Sequence, residues 1–282
     1  MHPQELIHQG NLGAALTALQ ELIRQDPANA KYRIFLFQLL SVLGQWNRAL
    51  TQLNVAGELD AAALPMVQTY REAIQCEALR SEIFAGARAP LIFGEPPAWL
   101  VLLIEALKLD ARGKPDSAAS ARARAQAFDA APAGGGSIDG VRFAWIADAD
   151  QRLGPVLETI INGRYFWIPM QRIQRIELEA PVDLRDAVWT PAEFTWANGA
   201  QTVGLIPTRY IDTVSSTDTA LLMARRTEWP GHALNGHGLG QRMLVTDAGE
   251  YALMDVRVIE FDAPPAPQDT AAAPAGEAVH HG

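Results

Sequence analysis

Apolar residues are spaced in two different ways along these 282 residues, and the change falls near residue 133. Up to about Asp129 they recur at three- and four-residue intervals. This predicts helices at Pro3 to Gln9, Leu12 to Gln25, Lys31 to Leu43, Arg48 to Ala56, Leu64 to Ala85, Pro97 to Ala111 and Asp116 to Phe128. Asp26-Pro27 ends the second of these, because proline disfavours helix in the residue before it. In Lys31 to Leu43 the apolar side chains cover almost the whole circumference, so this helix is expected to be buried between neighbours.

The helical half repeats itself. Gly10 opens Gly-Asn-Leu-Gly-Ala-Ala-Leu-Thr-Ala-Leu, and 34 residues later Gly44 opens Gly-Gln-Trp-Asn-Arg-Ala-Leu-Thr-Gln-Leu. Leu12 thus falls on Trp46, Ala15 on Ala49, Leu16 on Leu50, Thr17 on Thr51 and Leu19 on Leu53. That interval is the tetratricopeptide period, in which glycine permits a tight turn and the small alanine lets paired helices approach. Gly113 to Ala118 echoes the spacing faintly, as a degenerate third repeat. Two clear repeats are fewer than an open solenoid needs, so the array is expected to lean on the second half of the chain.

After Ala133-Gly-Gly-Gly-Ser137, read as a flexible connector, the apolar positions alternate. Val141, Phe143 and Trp145 form one alternating run, Tyr165 to Ile168 an aromatic strand, and Ile173 to Leu178 another alternating run. Gln241 to Thr246 and Tyr251 to Phe261 flank Asp247-Ala-Gly249 as a hairpin. Helices are expected near Pro155 to Asn162 and Ser216 to Arg226. The fold class is therefore multi-domain α and β: a TPR-like α-α superhelix, followed by an α+β domain with a curled, mostly antiparallel sheet. Expected boundaries are 1–133 for the repeats, 134–137 for the linker, 138–262 for the α+β domain and 263–282 for a disordered Ala/Pro-rich tail.

Charge narrows the partners. Residues 1–133 hold 12 basic and 13 acidic side chains and the remainder 11 and 19, so the two parts carry −1 and −8 of the formal −9. No stretch clusters Lys and Arg among aromatics, which argues against nucleic acid. No apolar run approaches the roughly 20 residues of a membrane span, and the first residues lack the order of a secretory signal. The protein is expected to be cytoplasmic, with no membrane contact. The single cysteine, Cys76, reads as a packing residue.

No catalytic set emerges from the chemistry-bearing residues. Motifs for a P-loop, a nucleophile elbow, a zincin helix and paired C-x-x-C are absent. Gly236-His-Gly-Leu-Gly240 precedes a strand where phosphate binding requires a helix N-terminus, so it reads as a loop. Glu228, His232 and His237 have the composition of a zinc site without a fixed spacing. Asp148-Ala-Asp150 with Arg152, and Asp183-Leu-Arg-Asp186 beside Trp189, read as structural ion-pair clusters. A metal-dependent hydrolase using Asp148, Asp150 and Asp186 stands as the alternative. No cofactor or metal is expected.

Several longer segments carry a resemblance. They are Phe35 to Leu40 with Leu43 to Leu50, Tyr70 to Glu77, Asp148 to Pro155, Asn162-Gly-Arg-Tyr165, Asp183 to Asp186 with Val188-Trp189, Ile206-Pro-Thr-Arg-Tyr210 and Gly238 to Met243. Together these resemble the ImpE family, also called SciE or TagJ, accessory proteins of some type VI secretion systems. The resemblance runs from about Leu6 to Ile259. It implies a non-enzymatic cytoplasmic adaptor that binds the small subunit of the contractile sheath and is linked to ClpV, the AAA+ ATPase that disassembles contracted sheath. The contacts expected for a helix-in-groove partner are Arg33, Gln38, Gln45, Trp46, Arg48, Gln52, Tyr70 and Arg71. Repeat packing competes for Trp46 and Tyr70.

Overall fold

The computed structural model describes residues 2–112, 118–230 and 237–262. The helices of the first half are α1 (Pro3–His8), α2 (Leu12–Gln25), α3 (Ala30–Val42), α4 (Trp46–Leu59), α5 (Leu64–Phe84), α6 (Ala98–Ala111) and α7 (Ala118–Ala130). Asn11 and Asn29 cap α2 and α3 by accepting from the backbone N–H of Ala14 and Tyr32. Ala15, Leu19, Ala49 and Leu53, the repeat-defining residues, are fully buried. The expectations for Gly113 to Asp116 and for the 263–282 tail lie outside the described residues.

The two repeat glycines have a double reason to be glycine. Gly10 and Gly44 turn the chain at φ +77° and +66°, which L side chains rarely adopt. A Cβ at Gly10 would also stand 3.1 Å from Thr219 Oγ1, and one at Gly44 3.1 Å from Val214 Cβ. The turns that pair the helices are thus also where the second half of the chain packs against them.

That half supplies most of the strands: β1 (Leu91–Ile92), β2 (Gly136–Ile138), β3 (Val141–Phe143), β4 (Ile146–Asp148), β5 (Val156–Ile161), β6 (Arg164–Pro169), β7 (Ile173–Leu178), β8 (Trp189–Trp196), β9 (Gln201–Pro207), β10 (Thr227–Glu228), β11 (Leu239–Gly240), β12 (Met243–Thr246), β13 (Glu250–Ala252) and β14 (Val258–Phe261). The main sheet has the order β1-β6-β5-β9-β8-β7-β14-β2-β3, and every pairing in it is antiparallel except β1 with β6. A smaller sheet runs β13-β12-β4, and β10 pairs with β11. Strand β1 comes from between α5 and α6, so the helical half lends an edge to the sheet.

Around β5 both faces of the main sheet are buried. One core joins the helices to Val156, Ile160, Tyr165, Trp167 and Trp189. The other gathers Leu157, Ile161, Ile168, Phe194 and Ile206 with Leu244 and Leu253 of the smaller layer. This explains the largest departure from expectation. Pro155 to Asn162 is no helix but strand β5, every residue of which is buried. A strand covered on both faces loses its alternation and reads like a buried helix.

Three smaller corrections follow from tertiary pairing. The helix expected over Ser216 to Arg226 shortens to α8 (Thr219–Leu222). The hairpin around Asp247 pairs β12 with β13 only, and the rest of its second arm becomes β14 in the main sheet. The connector is not slack throughout: Gly136 and Ser137 are buried in β2, where a Cβ on Gly136 would meet Glu260 O at 2.1 Å.

Candidate functional site

The helical array has one face turned to the sheet and one turned away, and the two differ in chemistry. On the inner face Arg80, from α5, donates from Nε and Nη2 to Glu158 on β5 at 2.6 and 3.1 Å, and from Nη2 to Arg209 O at 2.8 Å. Glu158 also accepts from Arg242 Nη2 and, at 2.5 Å, from the Tyr165 hydroxyl. Arg209 caps the end of α3 by donating to Val42 O at 2.8 Å. Trp189 Nε1 donates to Glu77 at 3.0 Å, and its ring lies 5.6 Å from Tyr70 and 5.9 Å from Trp46. Burial works to raise the Glu158 carboxyl, but Arg80 and Arg242 hold it down at about 2.

The three carboxylates of the hydrolase alternative are held by separate structural partners. Asp148 meets Arg242 and accepts from the Tyr210 hydroxyl at 3.1 Å and from Asp150 N at 2.8 Å. Burial, the largest influence on it, pushes its carboxyl up to about 6 against the pull of Arg242. Asp150 grips Arg152 at 2.5 Å, and Arg152 reaches on to Asp212 at 2.8 Å. Asp186 accepts from Val182 N and Asp183 N at 2.7 and 2.9 Å and so closes a 3-10 turn over Leu184–Ala187. Among the described residues no group of three His, Cys, Asp or Glu is placed to hold a metal ion. His232 and Gly236 lie outside those residues, and His237 sits 3.7 Å from Asp212. Cys76 is buried against Gly163 O, and burial raises its thiol to about 12, so it packs and does not react.

The expected partner contacts divide by face. Tyr70 is buried beneath Trp189 and the Arg185 guanidinium, which stands 4.7 Å from its ring, and burial raises its hydroxyl to about 12. Gln38 is buried as well, and Trp46 is half-buried against Trp189. Trp46 and Tyr70 thus pack against Trp189 of the sheet half.

The remaining residues gather on the outer side. There α2 contributes Gln20 and Ile23, α3 Arg33, Leu36 and Leu40, and α4 Arg48, Thr51 and Gln52 to one open groove. Arg33 donates to Gln52 Oε1 at 2.9 Å across the groove, and Arg48 to Gln45 at the start of α4. A second groove, between α4 and α5, is lined by Asn54, Gly57, Glu58, Leu64, Val67 and Arg71. In it Arg71 donates to Asn54 Oδ1 at 3.0 Å. Sequence reasoning missed Arg80, Glu158, Arg209 and Arg242, each of which has a partner 78 or more residues away.

Residues 140–260 match the family model described as ImpE protein, and residues 6–74 match a tetratricopeptide repeat model. Over 262 residues the chain is 56% identical to the type VI secretion system accessory component TagJ of Pseudomonas aeruginosa, spanning 93% of this chain and 92% of that protein. The crystal structure of protein VPA1032 from Vibrio parahaemolyticus superposes with a TM-score of 0.82 at 24% identity, covering 94% of this chain and 98% of that one. At that identity the likeness shows a shared fold. No helix among the described residues is long and apolar enough to cross a membrane.

Proposed function

The chain belongs to the ImpE protein family, and from that membership we propose that it is a non-catalytic accessory adaptor of a type VI secretion system. Its partner is the small subunit of the contractile sheath, held as a helix in the outer groove of α2, α3 and α4. It is linked through that complex to the ClpV ATPase and works in the cytoplasm. The observation that carries this reading is the contrast between the two faces of the array. The inner face packs against the protein's own sheet, whereas the groove lined by Gln20, Arg33, Arg48, Thr51 and Gln52 lies open. A groove between packed helices suits a helix supplied by a partner. The non-catalytic part of the reading is supported by Asp148, Asp150 and Asp186, each bound to arginine or backbone partners.

Purified sheath small subunit mixed with this protein is expected to co-elute on gel filtration, with a Kd on the order of 1 μM. Thr51→Trp, at an exposed position of the groove, fills the space without disturbing the core and is expected to abolish co-elution. Failure of the parent protein to bind, or undiminished binding by Thr51→Trp, overturns the assignment of this groove.

A further inference from the structure

The smaller sheet has an open, apolar side. On β12 Leu244 is fully buried but Val245 only half-buried, and Val245 lies opposite the half-buried Ala147 of β4. These two and Pro155 line a groove of about 450 Å³, whose other side is Phe128, Ala131 and Pro132 from the end of α7. Trp145 also lines it and stays 42% exposed. The single charged side chain among the lining residues is Asp148, which is buried and neutralised by Arg242. The Trp145 indole N–H has no acceptor among the described residues. A tryptophan left open beside small apolar side chains suits a proline-rich segment. Proline rings pack on aromatic faces, and the carbonyls of a polyproline II backbone, which make no internal hydrogen bonds, accept from an indole N–H.

The chain itself delivers such a segment to this place. Strand β14 runs antiparallel to β2 with Phe261 opposite Gly136, and Asp262 N donates to Gly135 O at 2.9 Å. Arg142 fixes the Asp262 carboxylate with two bonds, at 2.8 and 2.7 Å. At Asp262 the chain is therefore heading along Gly134, Ala133 and Pro132, and all three line the groove. The sequence that follows is Ala263-Pro-Pro-Ala-Pro267, which carries no charge. In a polyproline II helix of three residues per turn, Pro264 and Pro267 fall on one face about 9 Å apart. We infer that residues 263–267 are the occupant of this groove, with Pro264 and Pro267 turned toward Trp145 and the apolar wall. Because α7, β4 and β12 all contribute to the lining, the segment acts as a strap that ties the end of the helical half to the smaller sheet.

The test follows the indole NMR signals of the full-length protein, with that of Trp145 assigned by Trp145→Phe. The triple variant Pro264→Ser, Pro265→Ser and Pro267→Ser is expected to move the Trp145 signal and leave the other indoles in place. A synthetic peptide of residues 263–274, added to that variant, is expected to return the signal to its parent position. A short tether holds its segment at an effective concentration in the millimolar range, so the parent protein is expected to bind the same peptide about tenfold or more weakly than the triple variant. Trp145→Ala added to the triple variant is expected to abolish peptide binding, with unchanged circular dichroism showing that the fold survives. A Trp145 signal identical in the parent and the triple variant overturns the inference, as does a peptide that binds both equally or neither. A parent signal that takes its position only as protein concentration rises also overturns it, and assigns the groove to the same segment of a second copy.

Discussion

The inner face and the outer groove of the repeat array use the same residue types to opposite ends. Inside, arginines from three separate stretches, Arg80, Arg209 and Arg242, are paired or capped, and the rings of Phe84 and Tyr210 lie against Arg80 and Arg242. Such pairing makes sense only where water is excluded, because a buried charge without a partner is costly. Outside, Arg33, Arg48 and Arg71 are steered by amides and keep their charge. In a tetratricopeptide array the partner is expected in the cradle formed by the paired helices. Here the protein's own sheet fills that place, which supports helices too few in number to stand alone.

If the inner face is a permanent joint, breaking its ion pairs has the largest effect. Glu158→Ala leaves Arg80 and Arg242 facing each other with no carboxylate between them, and is expected to lower stability by about 3–5 kcal/mol. Urea denaturation followed by tryptophan fluorescence measures this. A loss below about 1 kcal/mol would mean that the network contributes little to holding the array on the sheet.

Acid sharpens the same comparison. The folded-state value of Glu158, about 2, lies below the usual glutamate value of about 4.3, so it contributes stability above that value which is lost as pH falls towards 2. Asp148 has the opposite sign. Its folded value of about 6 lies above the usual aspartate value of about 3.9, so its contribution is full below that and disappears as pH rises through 6. Urea midpoints measured from pH 3 to 8 are expected to fall on the acid side in the parent protein. Glu158→Gln flattens that acid limb, and Asp148→Asn flattens the change near pH 6. An acid limb that persists undiminished in Glu158→Gln assigns it to other carboxylates.

The elements of this fold were legible wherever their cause is local. Gly10 and Gly44 and Asp26-Pro27 declare the first helices from within a few residues, and both glycines take the positive φ of the turns that the period predicts. Strand β5 was misread because both of its faces are covered, yet a local signal stood beside it. Asn162-Gly163 adopts φ +49° and +70° between β5 and β6, the mirror-image turn that joins tight hairpins. Strand β1 had no such signal, since two residues become a strand only by lying beside β6. The ImpE likeness was readable in ordered motifs, but the division of the array into a covered and an open face was not. Trp46 and Tyr70 look like contact residues until Trp189, more than 100 residues later, is placed over them.

The smallest expected effect tests the other half of the comparison. Arg33 is half-buried and Arg48 exposed, and each gives its hydrogen bond to a neutral amide near the surface. Replacing both by glutamine removes no charge pair and opens no cavity, so stability is expected to change by less than about 0.5 kcal/mol. The same urea titration measures it beside Glu158→Ala. A change this small would support the proposal that the two arginines, held by Gln52 and Gln45, serve a partner and not the fold. A loss of about 2 kcal/mol or more would instead make the two arginines part of the array's own packing, and the contrast between its faces would be one of degree.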